Sequence, residues 1–241
     1  MVDLQSMPED WQRAVAVGAH PDDLEYGAAS AVARWTHEGR RVSYLLASRG
    51  EAGIAGLPPR ECGPTREREQ RAAAATVGVD AVEFLDYPDG VIEYGVSLRR
   101  DIVAEIRRRR PELVISVNHR ETFLGGFQNT ADHRNVGLAT LDAVRDAANE
   151  WVFREQIDAG LSAWGGVRWV AVAGSPQPTH AVDIGRFLDR GVASLEQHRA
   201  YLAGLGGHPM SDAAAWLTNI ATRAGQRFGG RPAVAFELIS F

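Results

Sequence analysis

Four short apolar runs, each separated from the next by a helix-like segment, limit what this chain can fold into. The runs cover residues 14–19, 42–48, 82–87 and 113–117. Each has the length of a buried strand, and the segments between them show helical periodicity or helix boundaries. We expect a helix over 25–38, a glycine- and proline-rich loop over 49–64, and a helix that starts at Thr65 and ends at about residue 77. Strands that alternate with helices form a parallel sheet with right-handed crossovers. The sequence therefore predicts an α/β fold with a Rossmann-like, mostly parallel sheet flanked by helices.

The last third of the chain has a looser pattern. We expect strands at residues 169–173, 180–184 and 233–239, with helices at 185–205 and 211–224. The sequence contains no internal repeat and no linker-like stretch. We therefore predict one domain over residues 1–241, a length that allows a sizeable core.

Charge and composition exclude several classes of protein. The formal net charge of -5 argues against a nucleic-acid partner, which normally meets a basic surface. The single Cys62 cannot form an internal disulfide and suits a reducing compartment. Residues 1–12 do not resemble a signal peptide, and no apolar run is long enough to span a membrane. We expect a cytoplasmic protein without membrane contact.

The first strand is followed by the heptapeptide Ala-His-Pro-Asp-Asp-Leu-Glu at residues 19–25. Ligands collect at the carboxyl ends of strands in open α/β sheets. His20 and Asp23 lie three residues apart around a proline, so both can turn toward one point. An imidazole and a carboxylate at one point suit a first-row divalent metal, with zinc the natural candidate. Asp22 lies between them and is free to act as a base.

Two further histidines lie at the same predicted edge of the sheet. His119 directly follows the fourth strand, and His133 begins the next helix. A lone histidine is more often structural than a metal ligand. Two histidines that flank one loop, opposite the 19–25 segment, favour a metal site.

Five segments together resemble the LmbE-like, or PIG-L, family of zinc-dependent de-N-acetylases. The strongest is the heptapeptide at residues 19–25, which is close to the first signature of the family. Gly-Glu-Ala-Gly at 50–53, Arg-x-x-Glu at 66–69 and Tyr-Pro-Asp-Gly at 87–90 support it. The second family signature, usually His-Pro-Asp-His, stands here as Thr-Ala-Asp-His at 130–133. The resemblance spans most of the chain and implies an LmbE-like deacetylase fold.

This resemblance implies a set of site residues and a reaction. His20, Asp23 and His133 would hold one zinc ion per chain and leave a fourth position for water. Asp22 would be the general base in removing an N-acetyl group from an amino sugar or small glycoconjugate. Asp132 would orient His133 or its neighbours.

One position departs from the family pattern. Thr130 stands where the family commonly has a histidine that assists the tetrahedral intermediate or the departing amine. We hypothesise that His119 reaches in from the other end of the loop to do this. The alternative, that His119 only hydrogen-bonds the loop, stays open.

Other predictions concern substrate contacts and packing. We expect His198 to be an exposed helical residue. The side chains predicted to contact substrate are Arg49, Glu51, Arg66, Asp89 and Thr130.

Competing functions receive less support from the sequence. A dinucleotide-binding oxidoreductase needs a glycine-rich turn after the first strand, where this chain has carboxylates that would repel a pyrophosphate. A serine hydrolase needs a Gly-x-Ser-x-Gly elbow, which is absent from the sequence. Two alternatives stay open: an amide hydrolase acting on a secondary-metabolite intermediate, and a non-catalytic, metal-containing binding protein. Homo-oligomerisation also stays open.

Overall fold

An eight-stranded sheet with helices packed against it forms the centre of the protein. The computed structural model describes residues 3–241. The strands are β1 Gln5–Ser6, β2 Arg13–Gly18, β3 Arg41–Leu46, β4 Val82–Phe84, β5 Leu113–Ser116, β6 Trp169–Ala173, β7 His180–Asp183 and β8 Ala233–Ser240. The helices are α1 Asp23–Gly27, α2 Ala29–His37, α3 Pro59–Thr76, α4 Val96–Arg109, α5 Ala131–Ala148, α6 Arg154–Asp158, α7 Leu188–Leu195, α8 Arg199–Gly204 and α9 Ala213–Gly225, with a 3-10 turn at Pro209–Ser211.

The order of the strands places the carboxyl ends of β2 and β5 side by side. The sheet runs β1-β7-β8-β6-β5-β2-β3-β4. The strands from β6 through β5, β2 and β3 to β4 pair in parallel, and β8 is antiparallel to both β6 and β7. The chain crosses from β2 to β3 on one side and later returns to place β5 on the other. This reversal creates the crevice in which open α/β sheets bind ligands. The predicted fold class is confirmed.

Alternate side chains of β2 pack into two different layers of the core. Ala14 and Ala16 face the cluster that includes Trp35 of α2, whereas Val15 and Val17 face the cluster built on α4 and α5. A strand covered on both faces has no polar side, which explains why its sequence is an uninterrupted apolar run. The central strands are therefore fixed by burial on both faces, and their ends are held in place for the site.

Three helical predictions differ from the structure. α3 begins at Pro59, six residues before the start expected at Thr65. Pro59 suits a first helical position, and Pro64 deprives only the carbonyl one turn earlier of its helical partner. The helix expected over 25–38 breaks at Ala28, where φ is -146°, and the one expected over 185–205 is split into α7 and α8. No helix in residues 3–241 combines the length and apolarity needed to cross a membrane.

Candidate metal centre and active site

The turn after β2 fixes one carboxylate of the site. Asp23 is the first residue of α1, and its Oδ2 accepts hydrogen bonds of 2.8 Å from the backbone N–H groups of Ala19 and His20. These bonds close the turn and hold the carboxylate in one orientation. Its other oxygen, Oδ1, faces His133 across the crevice at 2.9 Å from Nε2.

The loop between β5 and α5 positions His133. Thr130 is the N-cap of α5, and its hydroxyl accepts the backbone N–H of His133. Asn129 Oδ1 lies 3.1 Å from His133 Nδ1, and the Asn129 amide nitrogen donates to the carbonyls of Asn118 and Arg120. Because Asn129 accepts from Nδ1–H, the free electron pair of His133 lies on Nε2, the atom that faces Asp23.

Protein acceptors also hold one ring nitrogen of His20, the one that faces away from Asp23. Its Nε2 lies 3.0 Å from Asp132 Oδ2 and 3.1 Å from Asp89 Oδ1. Its Nδ1 faces Asp23 Oδ2 at 3.7 Å. Burial lowers the pKa of His20, but hydrogen bonds to Asp132, Asp23 and Asp89 together raise it well above its usual value. The same concentration of negative charge favours any cation bound between the histidines.

His20, Asp23 and His133 fit a divalent metal. One ligand atom from each lies within 4.8 Å of the other two, and two imidazoles with one carboxylate are a donor set typical of catalytic zinc. The 2.9 Å contact between His133 Nε2 and Asp23 Oδ1 joins two atoms that both carry free electron pairs in this tautomer. A proton or a metal ion must lie between them. Outer acceptors on both histidines complete the pattern expected of a metal site.

Asp89 and Asp132 form a second group with His20, but they act as outer partners. Asp132 accepts the backbone N–H groups of Gly90 and Ile92, and Asp89 accepts that of Ala52. These bonds use much of the acceptor capacity of both carboxylates. Asp132 thus orients His20, whereas the orientation of His133 comes from Asn129.

Asp22 lies beside this cluster and is almost fully buried. Its Oδ2 accepts a hydrogen bond of 2.9 Å from Arg66 Nη2. Burial and the charge of Asp22 raise the pKa of the nearby Tyr201 hydroxyl. The Arg66 guanidinium lies over the Tyr201 ring, 4.5 Å from its centroid. Burial raises the pKa of Asp22 to about 6 even though the charge of Arg66 opposes the change. A carboxylate with a raised pKa is suited to accept and release a proton.

The side chains predicted to contact substrate all have protein partners. Arg49 pairs with Glu67 and Asp86. Glu51 Oε1 accepts the backbone N–H of Asp89 at 2.9 Å, which ties the β3–α3 loop to the β4–α4 loop. The partners of Arg66, Asp89 and Thr130 are described above. Their contact with substrate stays a prediction.

His119 is not joined to the cluster by any hydrogen bond among the described residues. It follows β5 and packs against Gly137 of α5, where an added Cβ would lie 2.8 Å from the His119 Cβ. Its Nδ1 is buried without a hydrogen-bond partner in residues 3–241. Burial lowers the pKa of His119. Its proposed role in place of the family histidine stays a hypothesis.

Sequence reasoning missed four residues around Asp22 and His133. His198 was expected to be exposed, but its side chain is 0% exposed because it points toward the buried Glu25, while the neighbouring Glu196 and Arg199 are exposed. Glu25 belongs to the 19–25 heptapeptide, but no role was assigned to it. Gln70 lies one helical turn after Arg66, and this spacing was its one available hint. Asn129 carried no distinct sequence signal.

Three comparisons agree with this geometry. Residues 15–144, more than half of the chain, match the PIG-L family, described as GlcNAc-PI de-N-acetylase. The diacetylchitobiose deacetylase of Thermococcus kodakarensis is 26% identical over 193 residues, covering 79% of this chain and 70% of the relative. The 1D-myo-inositol 2-acetamido-2-deoxy-alpha-D-glucopyranoside deacetylase of Kineococcus radiotolerans is 28% identical over 191 residues, covering 66% of this chain and 49% of that longer protein.

A solved structure extends the likeness to nearly the whole fold. The N,N'-diacetylchitobiose deacetylase from Pyrococcus horikoshii superimposes with a TM-score of 0.86 at 22% identity. The match covers 96% of this chain and 85% of that structure. At this identity the superposition shows the fold, and the family is shown by the match over residues 15–144. The chain therefore belongs to the PIG-L family of de-N-acetylases.

Proposed function

We propose that this protein is a zinc-dependent hydrolase that removes the N-acetyl group from a GlcNAc-containing amino sugar or small glycoconjugate. The observation that carries the proposal is the convergence of His20, Asp23 and His133 beside the buried Asp22. The names of the relatives, which describe deacetylation of GlcNAc-containing compounds, support the same substrate class.

His20, Asp23 and His133 would hold the zinc, one ion per chain. When bound, zinc supplies a water of lowered pKa and polarises the carbonyl of the acetyl group. Because Asp89, Asp132 and Asn129 hold the outer nitrogens of the two histidines, the ligands need little rearrangement.

Asp22 would carry the proton in this reaction. Arg66 holds Oδ2, so Oδ1 is the oxygen that accepts a proton from the attacking water. The same oxygen then delivers the proton to the amide nitrogen as the C–N bond breaks, which yields acetate and the free amine. Arg66, whose guanidinium lies over the Tyr201 ring, keeps the carboxylate in place between the two transfers.

Two alternatives give different results in one assay. The purified protein is incubated with N,N'-diacetylchitobiose and with the GlcNAc-inositol compound named for the relatives, and free amine and acetate are measured. We expect both products in equal amounts, their loss with a chelator, and recovery with added zinc. A non-catalytic binding protein would bind zinc but release no amine. An enzyme for a secondary-metabolite amide would hydrolyse such an amide but neither sugar.

The hypothesis for His119 is tested in the same assay. His119→Ala should lower kcat if this residue takes the place of the family histidine, whereas the exposed His37→Ala should not. Equal rates for the two variants would show that His119 serves only the loop. The cytoplasmic location expected from the sequence stays a prediction.

A further inference from the structure

Asp22 has a left-handed backbone conformation. Its φ is +91°, in a region where residues other than glycine are uncommon, although Asp and Asn adopt it more often than other side chains. Such a conformation costs roughly 1–3 kcal/mol and persists only where the surroundings enforce it. Asp22 also lies between two rigid features, the Pro21 ring and the first turn of α1. The structure must therefore contain groups that hold this residue.

Two neighbouring turns of α3 provide those groups. Arg66 holds the Asp22 carboxylate and also donates to the carbonyl of Pro21. Gln70, one turn later, accepts the backbone N–H of Asp22 through Oε1 at 2.9 Å. Helix α3 thus hydrogen-bonds to both the side chain and the backbone of Asp22.

Gln70 is itself fixed by a buried carboxylate. Its amide nitrogen donates to Glu25 Oε1 at 3.0 Å, so the oxygen of the amide must face Asp22 and the nitrogen must face Glu25. Glu25 Oε2 lies 3.4 Å from His198 Nε2 without hydrogen-bond geometry, and both side chains are 0% exposed. Hydrogen bonds thus form a buried chain from Asp22 through Gln70 to Glu25, and His198 lies at its end.

Burying these polar side chains costs free energy that an apolar core would not require. A buried carboxylate is tolerated only with partners, and an apolar group of the same shape is often as stable or more stable. Stability alone therefore does not explain the presence of Glu25 and Gln70 in the interior. Their shared contact with the backbone of Asp22 supplies one.

We propose that Gln70, held in place by its hydrogen bond to Glu25 beside His198, is a positioning residue that keeps Asp22 in its left-handed conformation and so orients the Asp22 carboxylate toward the reacting atoms. The proposal rests on the proposed function, since Asp22 is the base of that reaction. None of the three residues touches the metal ligands through a side chain in the contacts given above.

Gln70→Leu tests the proposal because it keeps the volume and removes both hydrogen bonds. We expect kcat to fall roughly 10- to 100-fold, the range for a misplaced catalytic group, with KM and zinc content unchanged. The matched control is Gln156→Leu. Gln156 is also buried, and it accepts from Arg107 and donates to the carbonyl of Arg100, away from the metal ligands. This control should lose comparable stability and keep kcat.

A double-mutant cycle separates positioning from a general loosening of the fold. In the Asp22→Asn background, Gln70→Leu should lower the residual rate by less than twofold, because an asparagine at position 22 cannot act as the base and its orientation no longer matters. An equal further loss in that background would overturn the proposal. So would an unchanged kcat in the single variant.

A structural readout keeps the proposal independent of the enzyme's activity. Crystal structures of the wild type and of Gln70→Leu should show that φ of Asp22 leaves the left-handed region only in the variant. An unchanged φ would overturn the proposal even if the wild type proves inactive on every sugar, an outcome that would count against the proposed function alone. If Gln70→Leu does not fold, Glu25→Gln takes its place. Glu25→Gln keeps an oxygen that accepts from Gln70, whereas Gln70→Asn shortens the side chain that reaches Asp22. Glu25→Gln should therefore lower kcat by less than Gln70→Asn. A larger loss of kcat for Glu25→Gln would contradict the proposal.

Discussion

Each histidine of the cluster presents one ring nitrogen to the centre because another group holds the opposite nitrogen. Asp132 and Asp89 do this for His20. Asn129 does it for His133, and a neutral amide oxygen serves as the acceptor. The orientation of each ring is therefore set before a metal binds.

Asn129→Ala should weaken zinc binding by about 10- to 100-fold, the usual cost of removing an outer partner of a metal-binding histidine. The change frees His133 Nδ1 and also releases the loop carbonyls of Asn118 and Arg120. Competition with a chromogenic chelator measures the affinity. The exposed Asn219→Ala on α9 should bind zinc like the wild type, and an equal affinity for Asn129→Ala would show that His133 is oriented by other contacts.

Glu112 makes a second residue-level prediction, concerning stability at acid pH. Its carboxylate accepts the backbone N–H groups of Gln12 and Arg13 and pairs with the Arg13 guanidinium. Burial raises the pKa of Glu112, but these hydrogen bonds and the charge of Arg13 together lower it below its usual value. A carboxyl group whose pKa is lower in the folded state stabilises the fold above the unfolded pKa. It loses this contribution as the pH falls through the folded pKa.

Glu112→Gln should therefore lower the free energy of unfolding by about 1 kcal/mol near pH 7, since the ion pair itself is partly exposed and contributes little. The difference from wild type should shrink as the pH falls below the ordinary pKa of a glutamate and through the lower pKa of folded Glu112. Urea unfolding across this pH range measures it, with the exposed Glu150→Gln as control. A difference that stays constant with pH would exclude the charge of Glu112 as its source.

Side chains that directly follow a strand could be predicted to converge, but residues brought together by helix packing could not. His20, Asp23 and His133 lie just beyond β2 and β5 or at the start of a helix, so the topology alone places them at one edge. Gln70 and His198 meet Glu25 only because α3 and the α7–α8 link pack against α1. Nothing in a single sequence specifies that packing, and His198 was therefore predicted wrongly as exposed.

At the level of elements, the β3–α3 loop is built around the buried guanidinium of Arg66. Cβ atoms added to Gly50 or Gly53 would lie 2.4 Å and 2.1 Å from Arg66 Nη1. The glycines in this loop therefore leave space for the side chain that holds Asp22. The loop predicted over 49–64 is too long, because α3 begins at Pro59 and contains a proline that the pattern reads as a helix breaker. The positions of the strands agree better with the prediction, because a strand buried on both faces has an apolar sequence.

Gly53→Ala should displace the Arg66 guanidinium and lower kcat about tenfold, since it disturbs the partner of the base without touching a metal ligand. Zinc affinity should stay unchanged. Gly56→Ala is the control in the same loop, because no atom lies within 4 Å of its added Cβ. Its φ of +79° means that alanine there costs about 1 kcal/mol of stability. If both variants keep the wild-type kcat, the position of the Arg66 guanidinium does not affect the reaction.

Across the whole molecule, the proposed zinc would join segments that are far apart in the chain. Asp23 and His133 are separated by 110 positions, and they enter the site from β2 and from the loop after β5. The unfolded chain cannot hold this arrangement, so binding of the metal is linked to folding. A ligand that binds the folded state alone raises the unfolding free energy by about 2.7 kcal/mol at 100 times its Kd.

For a chain of this size, that gain corresponds to a rise in Tm of roughly 5–10 °C. Differential scanning calorimetry with the chelated protein and with zinc at 100 times Kd measures it. His133→Ala should show little or no rise, because the proposed zinc ligand from α5 is lost. His37→Ala changes an exposed residue and should show the full rise. If His133→Ala were stabilised as much as the wild type, zinc would bind the folded chain at another place, and the cluster between β2 and β5 would not be the metal centre.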